Sequence, residues 1–228
     1  MKRMIAITNQ KGGVGKTTTA INLSACIADE GKKVLCIDLD PQGNTTSGLG
    51  FDKDQLEKTS YEVILGQCKA EEAVLHTDTK KLDLIPSNVN LTGAEVELNE
   101  MDNRQFLMKE QLTGIREEYE YVIIDCPPSL GMLTVNALVA ADSVLVPIQC
   151  EYYALEGLSQ LIQTTEMIRE NLNPDLKIEG IVFTMFDSRT RLANDVMTNV
   201  KDNLHLHIYK TAIPRNVRLA EAPSYGQP

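Results

Sequence analysis

Lys16 and Thr17 close the stretch T-N-Q-K-G-G-V-G-K-T-T-T over Thr8–Thr19, directly after the apolar run Met4-Ile5-Ala6-Ile7. These residue types in this order suit the binding of a polyphosphate. Gly12, Gly13 and Gly15 let the main chain turn and bring its N–H groups close to phosphate oxygens. Val14 and Thr18 complete the cradle. Lys16 supplies a compact positive charge for the β/γ-phosphates, and the Thr17 hydroxyl is of the type that ligates Mg²⁺. A helix starting near Lys16 directs its N-terminal partial charge at the same anion.

Three acids stand where such a site needs them. Val34-Leu35-Cys36-Ile37 is a continuous apolar run that delivers Asp38, with Asp40 two residues on. Tyr121-Val122-Ile123-Ile124 delivers Asp125, followed by Cys126-Pro127-Pro128-Ser129. Continuous apolar runs read as strands buried on both faces. Ligands of parallel sheets bind beyond the carboxyl ends of the strands, where all three acids fall. Thr17 is therefore the candidate side-chain metal ligand, with Asp38 and Asp125 near the metal or its waters. The loop departs from G-x-x-x-x-G-K-[ST] at one place. Gln10 stands where the first glycine would fall, and an additional lysine, Lys11, precedes two glycines.

The elements that must position these residues follow from periodicity. A helix is expected from Lys16 to about Glu30, with Ala20, Leu23 and Ile27 buried and Gly31 ending it. Short helices are expected at Tyr61–Leu65 and Ala70–Leu75, and a strand at Leu82–Pro86. Thr92–Glu118 reads as helix in two pieces. Strands follow at Val144–Pro147 and Ile181–Phe183. Leu155, Leu158, Leu161, Ile162, Thr165 and Ile168 mark one helix face; Leu192, Val196, Val200 and Leu204 mark another. The alternation predicts an α/β fold: a mostly parallel twisted β-sheet flanked by helices on both faces, of the P-loop NTPase type, in a single domain over 1–228.

Composition narrows the function. The chain has 228 residues, 43% hydrophobic and 24% charged, with a net charge of −10, which argues against a generic DNA-coating protein. The segment from Leu176 onward is slightly basic, with seven Lys/Arg against five acids. No apolar run approaches the ~20 residues of a membrane span. The N-terminus opens straight into the first strand, so a cytoplasmic protein is expected. Cys26, Cys36, Cys68, Cys126 and Cys150 show no metal-binding spacing and read as buried, reduced thiols.

The K-G-G-x-G-K-T-T form resembles the deviant Walker A box of the ParA/MinD/nitrogenase-iron-protein class of ATPases. L-C-I-D-L-D-P-Q-G-N, Y-V-I-I-D-C-P-P-S, Q-C-E-Y-Y-A-L-E-G and I-P-R-N-V-R-L-A-E-A-P-S follow in order. Together they extend the resemblance over essentially the whole chain, to the ParA/Soj chromosome- and plasmid-partitioning ATPases. That resemblance implies ATP and Mg²⁺ as cofactors; with no Arg inside the phosphate loop, hydrolysis is expected to be slow unaided. The resemblance gives Lys11 the role of reaching the nucleotide of the other subunit in an ATP-bound homodimer, and Asp40 that of orienting or deprotonating the attacking water. It places Met185, Pro214 and Arg215 beside the adenine, and Glu151 against Lys11 or a ribose across the dimer. Non-specific DNA binding would fall to Arg189, Arg191 and Arg218. A ParB-like centromere-binding protein is the implied partner, with a replication initiator as a further one and the nucleoid as location. Relatives continue past the A-P-S-x-G-x-P box into a final helix, so a chain ending at Pro228 is expected to lack it. The alternative, a MinD-like membrane-associated division-site ATPase, calls for a basic amphipathic C-terminal helix, which 1–228 does not contain; no membrane partner is expected.

Overall fold

The computed structural model describes residues 2–151, 154–204 and 206–228. Tyr152, Tyr153 and the Leu155 side chain, each part of a pattern noted above, lie outside what it describes. In chain order the elements are β1 (Arg3–Ile7), α1 (Lys16–Asp29), β2 (Val34–Asp38), α2 (Asn44–Gly48), α3 (Ser60–Ile64), β3 (Leu75–His76), β4 (Leu82–Ile85) and α4 (Leu91–Leu98). There follow α5 (Leu107–Leu112), β5 (Tyr121–Asp125), α6 (Met132–Ala140), β6 (Ser143–Gln149), α7 (Ala154–Asn171), β7 (Lys177–Thr184), α8 (Arg191–Asn203) and α9 (Val217–Glu221).

The strands form one sheet in the order β3-β4-β2-β5-β1-β6-β7, parallel except where the two-residue β3 pairs antiparallel with β4. Alternate residues feed two cores. Met4, Ala6, Leu35, Ile37, Val122 and Ile124 face the layer built by α4 to α8. Ile5, Ile7, Val34, Cys36 and Ile123 face α1 and the C-terminal segment. Strands buried on both faces cannot alternate polar with apolar, which is why they read as unbroken apolar runs. Each fully buried Leu or Ile in them contributes about 1.5–3 kcal/mol of transfer free energy.

Register sets up the site. Ile7 lies beside Asp125, and Asp125 beside Asp38, so the loop after β1 and the ends of β5 and β2 stand abreast.

Several sequence expectations need correction. The buried face of α1 is Ala20, Ile21, Ser24, Ala25 and Ala28, while Leu23 and Ile27 are half-buried. The inward face is built mostly of small side chains, with Ile21 as its one large apolar residue. Cys26, on the outer face of α1, is exposed; Cys68 is half-buried, and Cys36, Cys126 and Cys150 are buried. Residues 92–118 form three helical pieces, α4, α5 and a 3₁₀ turn at Ile115–Glu118. Leu75 belongs to a strand, because its backbone pairs with Leu84 at the sheet edge. On α8 the inward residues are Ala193, Val196 and Val200, and Leu192 is 49% exposed.

Candidate active site

The loop between β1 and α1 is fixed at several points. Asn9 Nδ2 donates to the Pro147 carbonyl at 2.7 Å, and its Oδ1 accepts from Lys11 N at 3.0 Å. Thr184 Oγ1, at the end of β7, donates to the Val14 carbonyl at 2.7 Å. Lys16 Nζ reaches back to the Lys11 carbonyl at 3.1 Å. Gly13 and Gly15 take φ of 73° and 84°, left-handed values that a side chain would strain. Gly15 is the N-cap of α1 and offers no side-chain cap. The first-turn N–H groups of the helix are thus left for an external acceptor, which suits an anion.

Gly12, Gly13, Lys16, Thr17, Asp40 and Pro128 line a cavity of about 340 Å³ over this loop. Burial lowers the Lys16 pKa, against the opposing pull of Asp125 and Asp40. Asp125 is 1% exposed. Its Oδ2 accepts from Thr17 Oγ1 at 2.8 Å and from Thr45 Oγ1 at 2.7 Å. Its Oδ1 is buried and has no hydrogen-bond partner among the described residues. Burial pushes the Asp125 carboxyl up, with the two threonine hydroxyls opposing. Asp40 is nearly buried, and its Oδ1 accepts from Gln42 N at 2.9 Å.

Asp38 faces elsewhere. Its Oδ2 accepts from Thr46 N at 2.8 Å and Thr46 Oγ1 at 2.7 Å, and its Oδ1 from Asp40 N at 3.2 Å. Its carboxyl is pushed up by burial and then by the Asp125 charge. Asp38 holds the turn that presents Asp40 and does not line the cavity.

A divalent cation fits here. Two carboxylates, Asp125 and Asp40, act on one lysine, so negative charge is in excess, and one buried Asp125 oxygen has no partner among the described residues while the other accepts from the Thr17 hydroxyl. Among the described residues no group of three or more His, Cys, Asp or Glu could cage an ion. One hydroxyl and one carboxylate oxygen suit Mg²⁺, which keeps several waters and is otherwise held by phosphates.

A second cavity of about 180 Å³ adjoins the first, sharing Gly15, Thr18 and Met185. Met185, Pro214 and Arg215 meet in its wall, joined by Asn216, Leu219 and Ala220, which the sequence reading did not single out. Leu219 and Ala220 stand in the quoted R-L-A-E-A-P-S box, but a Leu-Ala pair carries no chemical signal by itself. Met185 takes a left-handed φ of 49°, and Arg215 Nη2 lies 3.9 Å from its sulfur. The lining is mostly apolar surface with a few polar side chains among it, as a base pocket requires.

Lys11 is ion-paired with Glu151 of its own chain, both side chains partly exposed. Arg189 grips Asp187 through Nε at 2.9 Å and Nη2 at 2.7 Å. Arg191 lies 3.6 Å from Asp195. Arg218 and Arg215 have no acidic partner within 4 Å among the described residues. The bridge between Phe186 and Pro214 runs the segment carrying Arg189 alongside the one carrying Arg215.

Comparison with known proteins adds the following. The family model described as AAA domain matches residues 2–178. The chain is 53% identical to the sporulation initiation inhibitor protein Soj of Bacillus subtilis over 228 residues, covering 100% of this chain and 90% of that protein. It is 53% identical over 226 residues to the chromosome partitioning protein ParA of Myxococcus xanthus, covering 99% and 80%. Among solved structures, a Mycobacterium smegmatis protein named cobyrinic acid a,c-diamide synthase, with bound ATP analog and magnesium, superposes with a TM-score of 0.91. That match has 40% identity and covers 99% of this chain and 93% of that one.

Proposed function

The chain belongs to the Soj/ParA family of chromosome-partitioning ATPases, and from that premise we propose that it is an ATP-switched partition ATPase whose ATP-bound dimer binds DNA. The observation that carries this reading is the continuity of the two cavities. A phosphate-sized site over an uncapped helix and an apolar base-sized site share Gly15, Thr18 and Met185, which is the layout a nucleotide needs. The ATP analog and magnesium bound by the Mycobacterium smegmatis structure support ATP and Mg²⁺ as the ligands here.

Phosphoryl transfer leaves the protein mainly positioning and electrostatic work. Lys16 and the α1 N–H groups hold the β/γ-phosphates. Mg²⁺, when bound by Thr17 and by Asp125 directly or through water, neutralises charge on the phosphates. Asp40, kept in place by its bond to Gln42 N, orients and deprotonates a water in line with the terminal phosphorus. Lys11 must leave Glu151 before it can reach a nucleotide in a second subunit. Hydrolysis then resets the dimer, stimulated by a ParB-like centromere-binding protein. On this reading the protein works on the nucleoid in the cytoplasm, with replication initiation as a second point of control.

Pelleting with DNA, with and without Mg·ATP, tests the proposal, with Lys16→Ala as the control that removes the charge facing the phosphates. ATP-dependent pelleting that Lys16→Ala abolishes is the expected result. Pelleting with anionic liposomes instead of DNA would replace the DNA reading with a membrane one.

A further inference from the structure

Thr45 is not part of the phosphate loop, yet it is fully buried and spends its hydroxyl on Asp125. It sits on α2, whose next residue, Thr46, does the same for Asp38 while accepting from Ser87 N at 2.8 Å. Two successive hydroxyls therefore hold two adjacent acids. At Asp125 both donors, Thr17 and Thr45, fall on the same oxygen, Oδ2. Two donors on one oxygen, carried by two different helices, restrict the carboxylate from turning about its Cβ–Cγ bond and leave Oδ1 buried and without a partner among the described residues.

We propose that Thr45 is a positioning residue for the metal. Its hydroxyl holds Asp125 so that Oδ1 is presented to Mg²⁺ or to a metal-bound water. The inference rests on the ATP and Mg²⁺ reading above. Thr17 contributes to the same hold, since a hydroxyl can offer a lone pair to a cation and still donate its proton to Asp125, but a single donor leaves the carboxylate free to pivot about that bond. Thr45 supplies the second donor from α2, outside the phosphate loop. Without it, a lone pair on a buried carboxylate loses its donor, and the group turns to regain one.

The test is a Mg²⁺ titration of fluorescent ATP-analogue binding by the wild type, Thr45→Val and Thr45→Ser. Outer-shell hydrogen bonds of this kind typically govern ~10–100-fold in metal affinity, so Thr45→Val should need at least about tenfold more Mg²⁺ for half-saturation. Analogue binding in excess EDTA should be unchanged, and Thr45→Ser should restore the wild-type titration. A melting curve checks folding. Should the valine variant unfold, Thr45→Cys keeps the volume and offers only a weak donor, and the same shift is expected of it. Wild-type Mg²⁺ dependence in Thr45→Val or, where that unfolds, in Thr45→Cys would overturn the proposal. So would an equal loss of binding in EDTA, or failure of Thr45→Ser to rescue. If the wild type itself shows no Mg²⁺-dependent binding, the nucleotide reading fails and this inference with it.

Discussion

Asp40 and Asp38 are two residues apart and chemically identical, and hydrogen bonding sets them apart. Asp38 has both oxygens committed to Thr46 and to the Asp40 amide. The Asp40 carboxylate has one donor among the described residues, Gln42 N, and lines the phosphate cavity. The acid able to act on a water is the one with spare acceptor capacity. Asp40→Ala should therefore bind Mg·ATP normally and lose ~10²–10⁴ in turnover, the usual cost of removing one positioned acid or base. Phosphate release at the wild-type rate would take Asp40 out of the mechanism. Asp38→Ala should behave differently, weakening folding and nucleotide binding together, because it leaves Thr46 Oγ1 and two backbone N–H groups without their acceptor.

The elements that carry these residues differ in how plainly the sequence announces them. β2 and β5 were legible because burial on both faces forces an unbroken apolar run, and an acid that ends such a run is conspicuous. α6 was not, because Met132–Ala140 is apolar almost all round and so has no amphipathic period. The buried face of α1 is hard to read because it mixes Ala and Ser with a single large apolar residue, Ile21, while the larger Leu23 and Ile27 stay half-buried. Thr45 was invisible among T-T-S, since only the fold brings it to Asp125. The link between α2 and the C-terminal box was equally hidden. Gly226 takes φ 65°, and a Cβ there would lie 2.6 Å from the Gly50 Cα, backbone against backbone. Neither side can yield by rotating a side chain. Gly226→Ala should cost more than about 1 kcal/mol, by denaturant unfolding, whereas an unchanged midpoint would mean the box is not packed on α2 in solution.

At the scale of the whole molecule the questions concern what meets the loop face and what the basic segment does. A Cβ at Gly12 would have nothing within 4 Å. Gly12→Val therefore has room within its own chain and should bind ATP, yet fail to dimerise if a second subunit's loop approaches closely; an ATP-bound Gly12→Val dimer in sedimentation would exclude that approach. DNA binding is the harder case, because the net charge of −10 is repulsive and attraction must come from a local patch. Ion pairing distinguishes the arginines proposed for that patch. Arg218 is unpaired among the described residues, while Arg189 is held by Asp187, whose carboxyl Arg189 in turn keeps down at about 2. The Arg189–Asp187 pair is exposed, so water and salt screen it and a phosphate can displace the carboxylate. Removing the carboxylate should then help: Asp187→Ala is expected to tighten DNA binding by the ATP-bound dimer, equally on unrelated sequences. Arg189→Ala should weaken it and make log K against log[salt] shallower by up to about two units per dimer, at roughly 0.9 per phosphate contact. Arg218→Ala should do the same on its own account. If Asp187→Ala and Arg189→Ala both leave affinity and salt slope untouched while Arg218→Ala changes them, the DNA path runs along α9 and the Arg189–Asp187 pair merely closes the turn before α8.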